Sequence, residues 1–493
     1  MAVEGDRGVR TMWNLNKWTD HTALYVREQS YTYGQLDRMQ QAFAQKVDSH
    51  RLVCVMMTNE LPALVAYISC IQNHHPVMVL SAQTPYRGQE NLWEHYEPDG
   101  IWMPLAGEKE HREFGNRGLY RRQAENEGYV LYERIEKNEM PVCRDLALLL
   151  PTSGSTGNPK MVQISYENIQ SNTKSICEYM HLTGEDCGIT VLPLSYTYGL
   201  SVVNTLLYVG GRVCLTADHV MQASFWRQMR DRGITFLPGV PYTYTCMKKM
   251  NLHPERYKKL RIMTQAGGRL SKSLQEYWGQ IAREYGKEFY IMYGQTEATA
   301  RISYLPPERC LEKTGSVGIA IPGTQIFLRI SEGAVITEAG EAGEVVAKGS
   351  HISMGYAACR ADLTQGDRRH QVLATGDIGY LDEEGYLYLI GRKSRFAKVY
   401  GKRVNLDDLE QMLTHEGAGE IAVISDDEKV YVVTDVTRIK GQDERWRQRI
   451  EQAVGDRSLA KILHWRELPH KESGKIDYRR IGERVKEDET VYM

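Results

Sequence analysis

The 493-residue chain has no apolar run close to the ~20 residues that a bilayer span needs. Its first residues, Met1-Ala2-Val3-Glu4-Gly5-Asp6, carry early acids and no apolar stretch of the kind that leads a secreted protein. These absences argue against stable membrane insertion and export, so a cytoplasmic enzyme is expected. There is no surplus of one charge either: 61 Lys and Arg stand against 63 Asp and Glu, a formal net charge of −2. A general nucleic-acid grip needs many uncompensated cations, and nucleic acid is therefore not an expected partner. Paired cysteines are missing too. The 9 cysteines (Cys54, Cys70, Cys143, Cys177, Cys187, Cys214, Cys246, Cys310 and Cys359) are odd in number, scattered and never spaced C-x-x-C. That fits reduced thiols used as small core residues and argues against a disulfide scaffold or a zinc cluster. No internal repeat or low-complexity tract occurs.

What is present reads as an α/β protein of several folding units, at 42% hydrophobic and 25% charged residues. Arg51 to Met57 is short, apolar and partly β-branched, as a buried strand is. Leu61 to Ile71 has a helical apolar period, and His75 to Leu80 returns to strand character. Strand, helix, strand implies a parallel layer covered on both faces. The polar segment 106–128 reads as surface loop and exposed helix. A second α/β layer is expected from 185 to 295, with strands at Ile189–Leu192, Arg212–Leu215, Thr235–Leu237, Leu260–Thr264 and Glu288–Met292. Helices are expected there at Val202–Val209, Ala223–Asp231 and Lys272–Tyr285. From about 313 to 392 recurrent glycines punctuate short strands, suggesting a small antiparallel sheet or barrel-like subdomain. Beyond Gly391-Arg392-Lys393-Ser394 the pattern is α+β, with a strand at Lys429–Val433 and a helix at Glu444–Val454. The expected organisation is a large N-terminal domain, residues 1–392, and a small C-terminal domain, residues 393–493.

Four motifs carry chemistry. Pro151-Thr152-Ser153-Gly154-Ser155-Thr156-Gly157-Asn158-Pro159-Lys160 follows the apolar strand Leu146 to Leu150. Its glycines let backbone amides turn toward an anion, its hydroxyls add donors, and Lys160 adds charge, which suits a polyphosphate. The spacing is not that of the P-loop of NTPases. Tyr293-Gly294-Gln295-Thr296-Glu297 also follows an expected strand. A Glu at a strand end can hold Mg²⁺, a Thr can reach a phosphate, and a Tyr offers a flat face to a base. Thr375-Gly376-Asp377, followed by Gly391-Arg392, places an acid on a turn that could bind ribose hydroxyls. Gly474-Lys475-Ile476-Asp477 offers a lysine that could neutralise charge on a phosphate in the transition state.

Together and in this order the motifs resemble those of the adenylate-forming family of acyl-CoA synthetases, peptide-synthetase adenylation domains and firefly-type luciferases. The resemblance runs over nearly the whole chain, from Tyr31-Thr32-Tyr33-Gly34 through Pro193-Leu194, Gly239-Val240-Pro241, Gly267-Gly268 and Gly343-Glu344 to Lys475. It implies ATP and Mg²⁺ as cofactors. The 152–160 loop would hold the β- and γ-phosphates, Thr296 would touch the α-phosphate, and Glu297 would hold the metal. Tyr293, Gly294 and Gln295, with Gly267, Gly268 and Arg269, would flank the adenine, and Asp377 with Arg392 would bind ribose. Lys475, on a mobile C-terminal domain, would bridge α-phosphate and carboxylate. Lys398 would enter the site after that domain rotates about the Lys393-Ser394 hinge, where the family usually has Asp or Lys.

The implied reaction joins a carboxylate to AMP, releases pyrophosphate, and then passes the acyl group to a thiol. CoA is the expected thiol; the phosphopantetheine of a carrier protein, acting in trans because no carrier domain follows Lys475, is the alternative. A non-catalytic adenylate-binding homologue would be expected to lack Lys475, Glu297 or Asp377, and all are present. A luciferase-like oxidase is a further alternative. The acid pocket is read from Tyr196, Tyr198 and Gly199, with Val240 after the third layer strand; Tyr242 and Tyr244 could line it or pack in the core. No acidic residue lies between Thr190 and Tyr208. A buried ammonium would stand unpaired there, so an uncharged acyl or aryl acid is expected in place of an amino acid.

Overall fold

The structure is a computed structural model. It describes residues 12–48, 50–83, 86–107, 118–151, 160–252, 254–330, 333–399, 402–416, 420–425, 429–435, 442–454, 460–470 and 475–490. The chain divides into two compact units, Met1–Gln325 with Ala347–Leu373, and Ile326–Val346 with Ala374–Met493.

The first unit is built on two large sheets. One has the spatial order Gly355–Ala357, Met161–Ser165, Leu146–Pro151, Val77–Ser81, Val53–Met57, Gly100–Pro104, Tyr129–Arg134, Tyr120–Asn126. Its middle strands, from Leu146–Pro151 to Gly100–Pro104, run parallel. Parallel strands are covered on both faces, which is why Val53–Met57 is buried throughout. Alternate side chains feed different cores. Val53, Val55, Val77 and Val79 join the core shared with the other sheet. Cys54, Met56, Met78 and Leu80 pack on the opposite side with Trp93 and Tyr96 of the helix Tyr86–Tyr96.

The second sheet has the order Ile319–Ala320, Ser303–Leu305, Glu288–Tyr293, Ile262–Gln265, Phe236–Gly239, Cys187–Ile189, Arg212–Leu215, Thr22–Val26, Gln29–Thr32. It is parallel from Glu288–Tyr293 to Thr22–Val26. The helices Leu61–Gln72 and Thr197–Val209 are apolar nearly all round and buried nearly all round, as a helix within a core must be. Their Leu64, Ile68, Val203 and Leu206 share one core with Val55 and Val79 of the first sheet and Val213 and Ile262 of the second. The two expected α/β layers are thus back to back across common helices.

Three local expectations differ from what folds. The strand expected at Ile189–Leu192 lies at Cys187–Ile189. Within 106–128, read as loop and exposed helix, Tyr120–Asn126 is a strand at the edge of the first sheet. An edge strand pairs on one side only and tolerates polar residues, so it leaves no apolar stripe to read. Its anchor is Tyr120, whose hydroxyl donates to Pro98 O at 2.7 Å. Residues 108–117 lie outside the described residues. The helix expected from Val202 begins at Thr197, so Tyr198 and Gly199 stand in its first turn.

The second unit carries a five-stranded sheet in the order Val335–Ile336, Gln325–Arg329, Gly343–Lys348, Val372–Leu381, Leu387–Arg392. Antiparallel pairing joins the first two and the last two. The hairpin Phe396–Val399 and Lys402–Asn405 follows. A three-stranded sheet of Ile421–Ser425, Val430–Thr434 and Ala460–His464 is then flanked by helices Leu406–Glu416, Gln442–Val454 and Tyr478–Thr490. Val423 and Val432 face Leu413, Trp446 and Ile450, while Ala422, Tyr431 and Val433 face Leu468, Ile481 and Val485.

Among the described residues no helix is long and apolar enough to cross a membrane. The cysteines are free thiols. Burial pushes those of Cys54, Cys187 and Cys214 up to about 12, which suits packing and not nucleophilic work.

Candidate active site

The turn that carries the Tyr293–Glu297 motif leaves the strand Glu288–Tyr293, passes through Gly294 and Gln295 into a short 3-10 turn at Thr296–Ala298, and returns as Ser303–Leu305 against its own strand. The return is tight: Ile302 N–H donates to Tyr293 O at 2.8 Å. A Cβ on Gly294 would sit 1.9 Å from Ala300 O, so the position requires glycine. Thr299 has φ +62°, a conformation that β-branched residues rarely adopt, and its hydroxyl donates to His351 O at 2.7 Å.

This turn presents Glu297. Its Oε1 accepts a hydrogen bond of 2.7 Å from Tyr356 Oη, while Glu297 O accepts from Ser353 N–H at 2.9 Å. Lys160 Nζ lies 3.7 Å above the centre of the Tyr356 ring, and the Arg369 guanidinium carbon lies 4.7 Å from it. Tyr356 is raised above the usual phenol range by burial and by the adjacent Glu297 charge, and so stays a donor. The half-buried Glu297 carboxylate thus has one oxygen fixed on a neutral phenol and no cation bonded to the other among the described residues. That suits Mg²⁺, which takes one or two carboxylates and fills its remaining positions with water and phosphate oxygens. Residues 152–159, hence Thr152, Ser153, Gly154, Ser155, Thr156 and Gly157, lie outside the described residues. Their flanks are the antiparallel strands Leu146–Pro151 and Met161–Ser165, joined in register at Pro151 and Met161, and Lys160 is exposed at the exit.

Adjacency of parallel strands collects the residues expected around adenine. Ile262–Gln265 and Glu288–Tyr293 are neighbours. The first leads to Gly267, Gly268 and Arg269, and the second ends at Tyr293. Gly267 has φ +83°, and Gln265 Nε2 donates to Gly268 O at 2.8 Å. Brought together from one sheet end, these residues occupy the carboxyl ends of parallel strands, where α/β proteins bind ligands.

The same sheet end carries the residues expected to line the acid pocket. Tyr196 is the N-cap residue of Thr197–Val209, and Tyr198 is buried beneath it. Tyr198 Oη lies 2.8 Å from Thr264 Oγ1 and accepts from Gly239 N–H at 3.3 Å. A Cβ at Gly199 would meet Pro193 O at 2.4 Å, so the chain can cross there only at glycine. Val240, half-buried, follows the strand Phe236–Gly239. Tyr244 belongs to the core: it packs on Trp278 and Phe289 and donates to Thr264 O at 2.9 Å. Tyr242 is 43% exposed.

One residue packed against Tyr198 is not singled out by the sequence. Arg301, only 4% exposed, ends the turn that carries Glu297 and stacks over the Tyr198 ring at 4.2 Å. In the sequence it is a lone cation four residues after Glu297, which reads as an ordinary surface residue.

In the second unit Asp377 and Arg392 face each other across paired strands, with Arg392 Nε 3.0 Å from Asp377 Oδ1. Lys475 is exposed and directly precedes Ile476, which forms an antiparallel bridge with His470. Lys398 lies on the strand Phe396–Val399, in register with Arg403. Next to it Arg395 is bound to Asp407 at 2.7 Å and Glu410 at 3.1 Å, and Tyr478 donates to Glu410 at 2.6 Å. This cluster, absent from the sequence reading, ties the hairpin after residue 392 to the helix that follows Lys475.

Residues 12–357 match the family model of the AMP-binding enzyme. The chain belongs to the AMP-binding enzyme family. This AMP-binding enzyme is 28% identical over 421 residues to the 2-succinylbenzoate–CoA ligase of Bacillus cereus strain ATCC 10987, covering 82% of each chain. It is 29% identical over 387 residues to that of Geobacillus sp. strain WCH70, covering 77% of this chain and 75% of the relative. Its fold is that of the o-succinylbenzoate CoA synthetase MenE from Bacillus subtilis in complex with OSB-AMP, with a TM-score of 0.78, 21% identity, and 96% and 98% of the two chains covered. ATP-bound MatB from Rhodopseudomonas palustris gives a TM-score of 0.79 at 20% identity, with 97% and 99% covered.

Proposed function

We propose that this AMP-binding enzyme is an AMP-forming acid–CoA ligase of the cytoplasm. It activates a carboxylic acid with ATP to an acyl-adenylate, releases pyrophosphate, and passes the acyl group to the thiol of CoA. The observation that carries the reading is Glu297, held by Tyr356 with Lys160 and Arg369 beside it, at the end of strands that also bring Tyr293 and Gly267 together. Relatives named 2-succinylbenzoate–CoA ligase support the direction of the chemistry.

A carboxylate and a triphosphate repel each other, so the site must cancel charge before they meet. Lys160 and the 152–157 loop hold the β- and γ-phosphates. Thr296 donates to the α-phosphate. Mg²⁺ on Glu297 would withdraw charge from the phosphate oxygens. Asp377 and Arg392 hold ribose hydroxyls, and Lys475 is brought to the α-phosphate and the attacking carboxylate. The carboxylate oxygen forms the new bond to phosphorus while the bond to pyrophosphate breaks. In the second half-reaction the CoA sulfur attacks the acyl carbon and AMP leaves, with Lys398 facing the thiol side after rotation about Lys393-Ser394. No acidic residue stands between Thr190 and Tyr208 to pair with an ammonium, so the acid is not an amino acid.

Acid-dependent exchange of pyrophosphate into ATP, over a panel of aliphatic and aromatic acids, tests the first half. Thioester formation with CoA or with a purified carrier protein tests the second. Absence of exchange with every acid contradicts the proposal; thioester with the carrier alone replaces CoA as acceptor.

A further inference from the structure

We infer that Arg301 is the receptor for a second anionic group on the substrate, so that the acid this enzyme activates is a dicarboxylate. The inference rests on the acid–CoA ligase reading and names its substrate class. The guanidinium is 4% exposed. Nε points at Met292 Sδ at 3.3 Å, Nη1 at Ala300 O at 3.2 Å and Nη2 at Ser201 Oγ at 3.4 Å. Each of these acceptors is neutral, as is the Tyr179 phenol that also bonds to the guanidinium, and the two oxygen contacts are longer than the 2.7–2.9 Å, roughly, of a guanidinium on a carboxylate. Among the described residues no Asp or Glu bonds to it. A buried cation without an anion is costly, and a stacked Tyr198 face offsets that only in part.

Among the described residues of this unit the one other arginine buried as deeply has its carboxylate: Arg360, 5% exposed, pairs with Asp99 at 3.1 Å. The chain can therefore supply such a partner where the role is structural. At Arg301 it leaves the planar fork, with donor capacity to spare, for something that arrives from outside. The turn also separates two ends. At its start Glu297 gathers Tyr356, Lys160 and Arg369, which suits the triphosphate. At its end Arg301 turns to Tyr198 and Ser201 on the helix Thr197–Val209, the wall assigned to the acid. A substrate whose reacting carboxylate meets ATP at the first end places its far end toward the second. The expectation of an uncharged acyl or aryl body is thereby refined to a body ending in an anion.

The test compares matched acids in pyrophosphate–ATP exchange: glutarate with butyrate, homophthalate with phenylacetate, and 2-succinylbenzoate with 3-benzoylpropionate and 2-butanoylbenzoate. In the wild type at least one dicarboxylate should exceed its single-carboxylate counterparts by about 30-fold or more in kcat/KM. Arg301→Met should erase that ratio while leaving the KM for ATP unchanged, and Arg301→Lys should restore part of it. Equilibrium binding of the dicarboxylate without ATP, to wild type and to Arg301→Met, reads the receptor even if no acid supports exchange, the outcome that would sink the ligase reading instead. Equal rates for both members of every pair in the wild type overturn the inference. So does an Arg301→Met enzyme that loses all acids alike, which is what a purely structural arginine predicts. Should Arg301→Met not fold, the wild-type ratios and the Lys variant still decide.

Discussion

Tyr356 donates a hydrogen bond of 2.7 Å to the Glu297 carboxylate, although the two residues stand on separate elements far apart in the chain. The phenol fixes one carboxylate oxygen and leaves the other for a metal. Tyr356→Phe keeps the ring under Lys160 and removes only the hydroxyl. A hydrogen bond to a charged group contributes about 1.5–3 kcal/mol, so the Mg²⁺ concentration for half-maximal exchange should rise by ~10-fold or more. Melting temperature should change little. An unchanged Mg²⁺ dependence would remove Tyr356 from the account.

Lys475 sits in the second unit, exposed, next to Ile476, which is bridged to His470. It is proposed to serve adenylation and to be absent from thiol attack. Lys475→Ala should abolish formation of acyl-AMP, yet spare thioester formation from supplied acyl-AMP and CoA. Equal loss in both half-reactions contradicts the division of labour and the rotation that it requires.

The layers were legible because buried parallel strands are short apolar runs between helical periods, as at Val53–Met57, Leu61–Gln72 and Val77–Ser81. Tyr120–Asn126 was not, since an edge strand has no apolar face to show. Candidate site residues at strand ends, such as Glu297 and Tyr293, stand out through their local motif. Those that act through space do not. Tyr356 and Arg369 lie in a segment without a motif, and Arg301 reads as a solvated cation until Tyr198 and Ser201 are seen to cover it. Tyr198 itself was placed in the pocket by resemblance, but its hydroxyl belongs to a network with Thr264 and Gly239 that no spacing reveals.

The Arg395, Glu410 and Tyr478 cluster joins the hairpin next to Lys393-Ser394 to the helix that follows Lys475. Glu410 also accepts from Val423 N–H at 2.9 Å. Burial raises its carboxyl and the neighbouring Arg395 charge opposes that. Glu410→Ala leaves Asp407 as the carboxylate on Arg395 and removes the acceptor of Tyr478 and Val423, a loss of about 1.5–3 kcal/mol for each hydrogen bond to the charged group. Faster amide exchange across Tyr478–Thr490 and a larger drop in adenylation than in thioester formation are expected. Protection of that helix equal to wild type would show that the cluster does not secure it.

His351 and His75 are buried neutral imidazoles, each lowered from 6.5 to about 4; burial is the main cause, with His50 and His74 adding to it for His75. The native state therefore refuses a proton that the unfolded chain accepts. Above pH 6.5 neither residue affects stability. As pH falls from 6.5 toward 4 the unfolded state is favoured, by up to about 3 kcal/mol per residue at the lower limit. Urea unfolding should show stability falling steadily over that window. His351→Gln should flatten the decline by roughly half, since the amide has no proton to gain. A variant that declines as steeply as the wild type would place the acid sensitivity elsewhere.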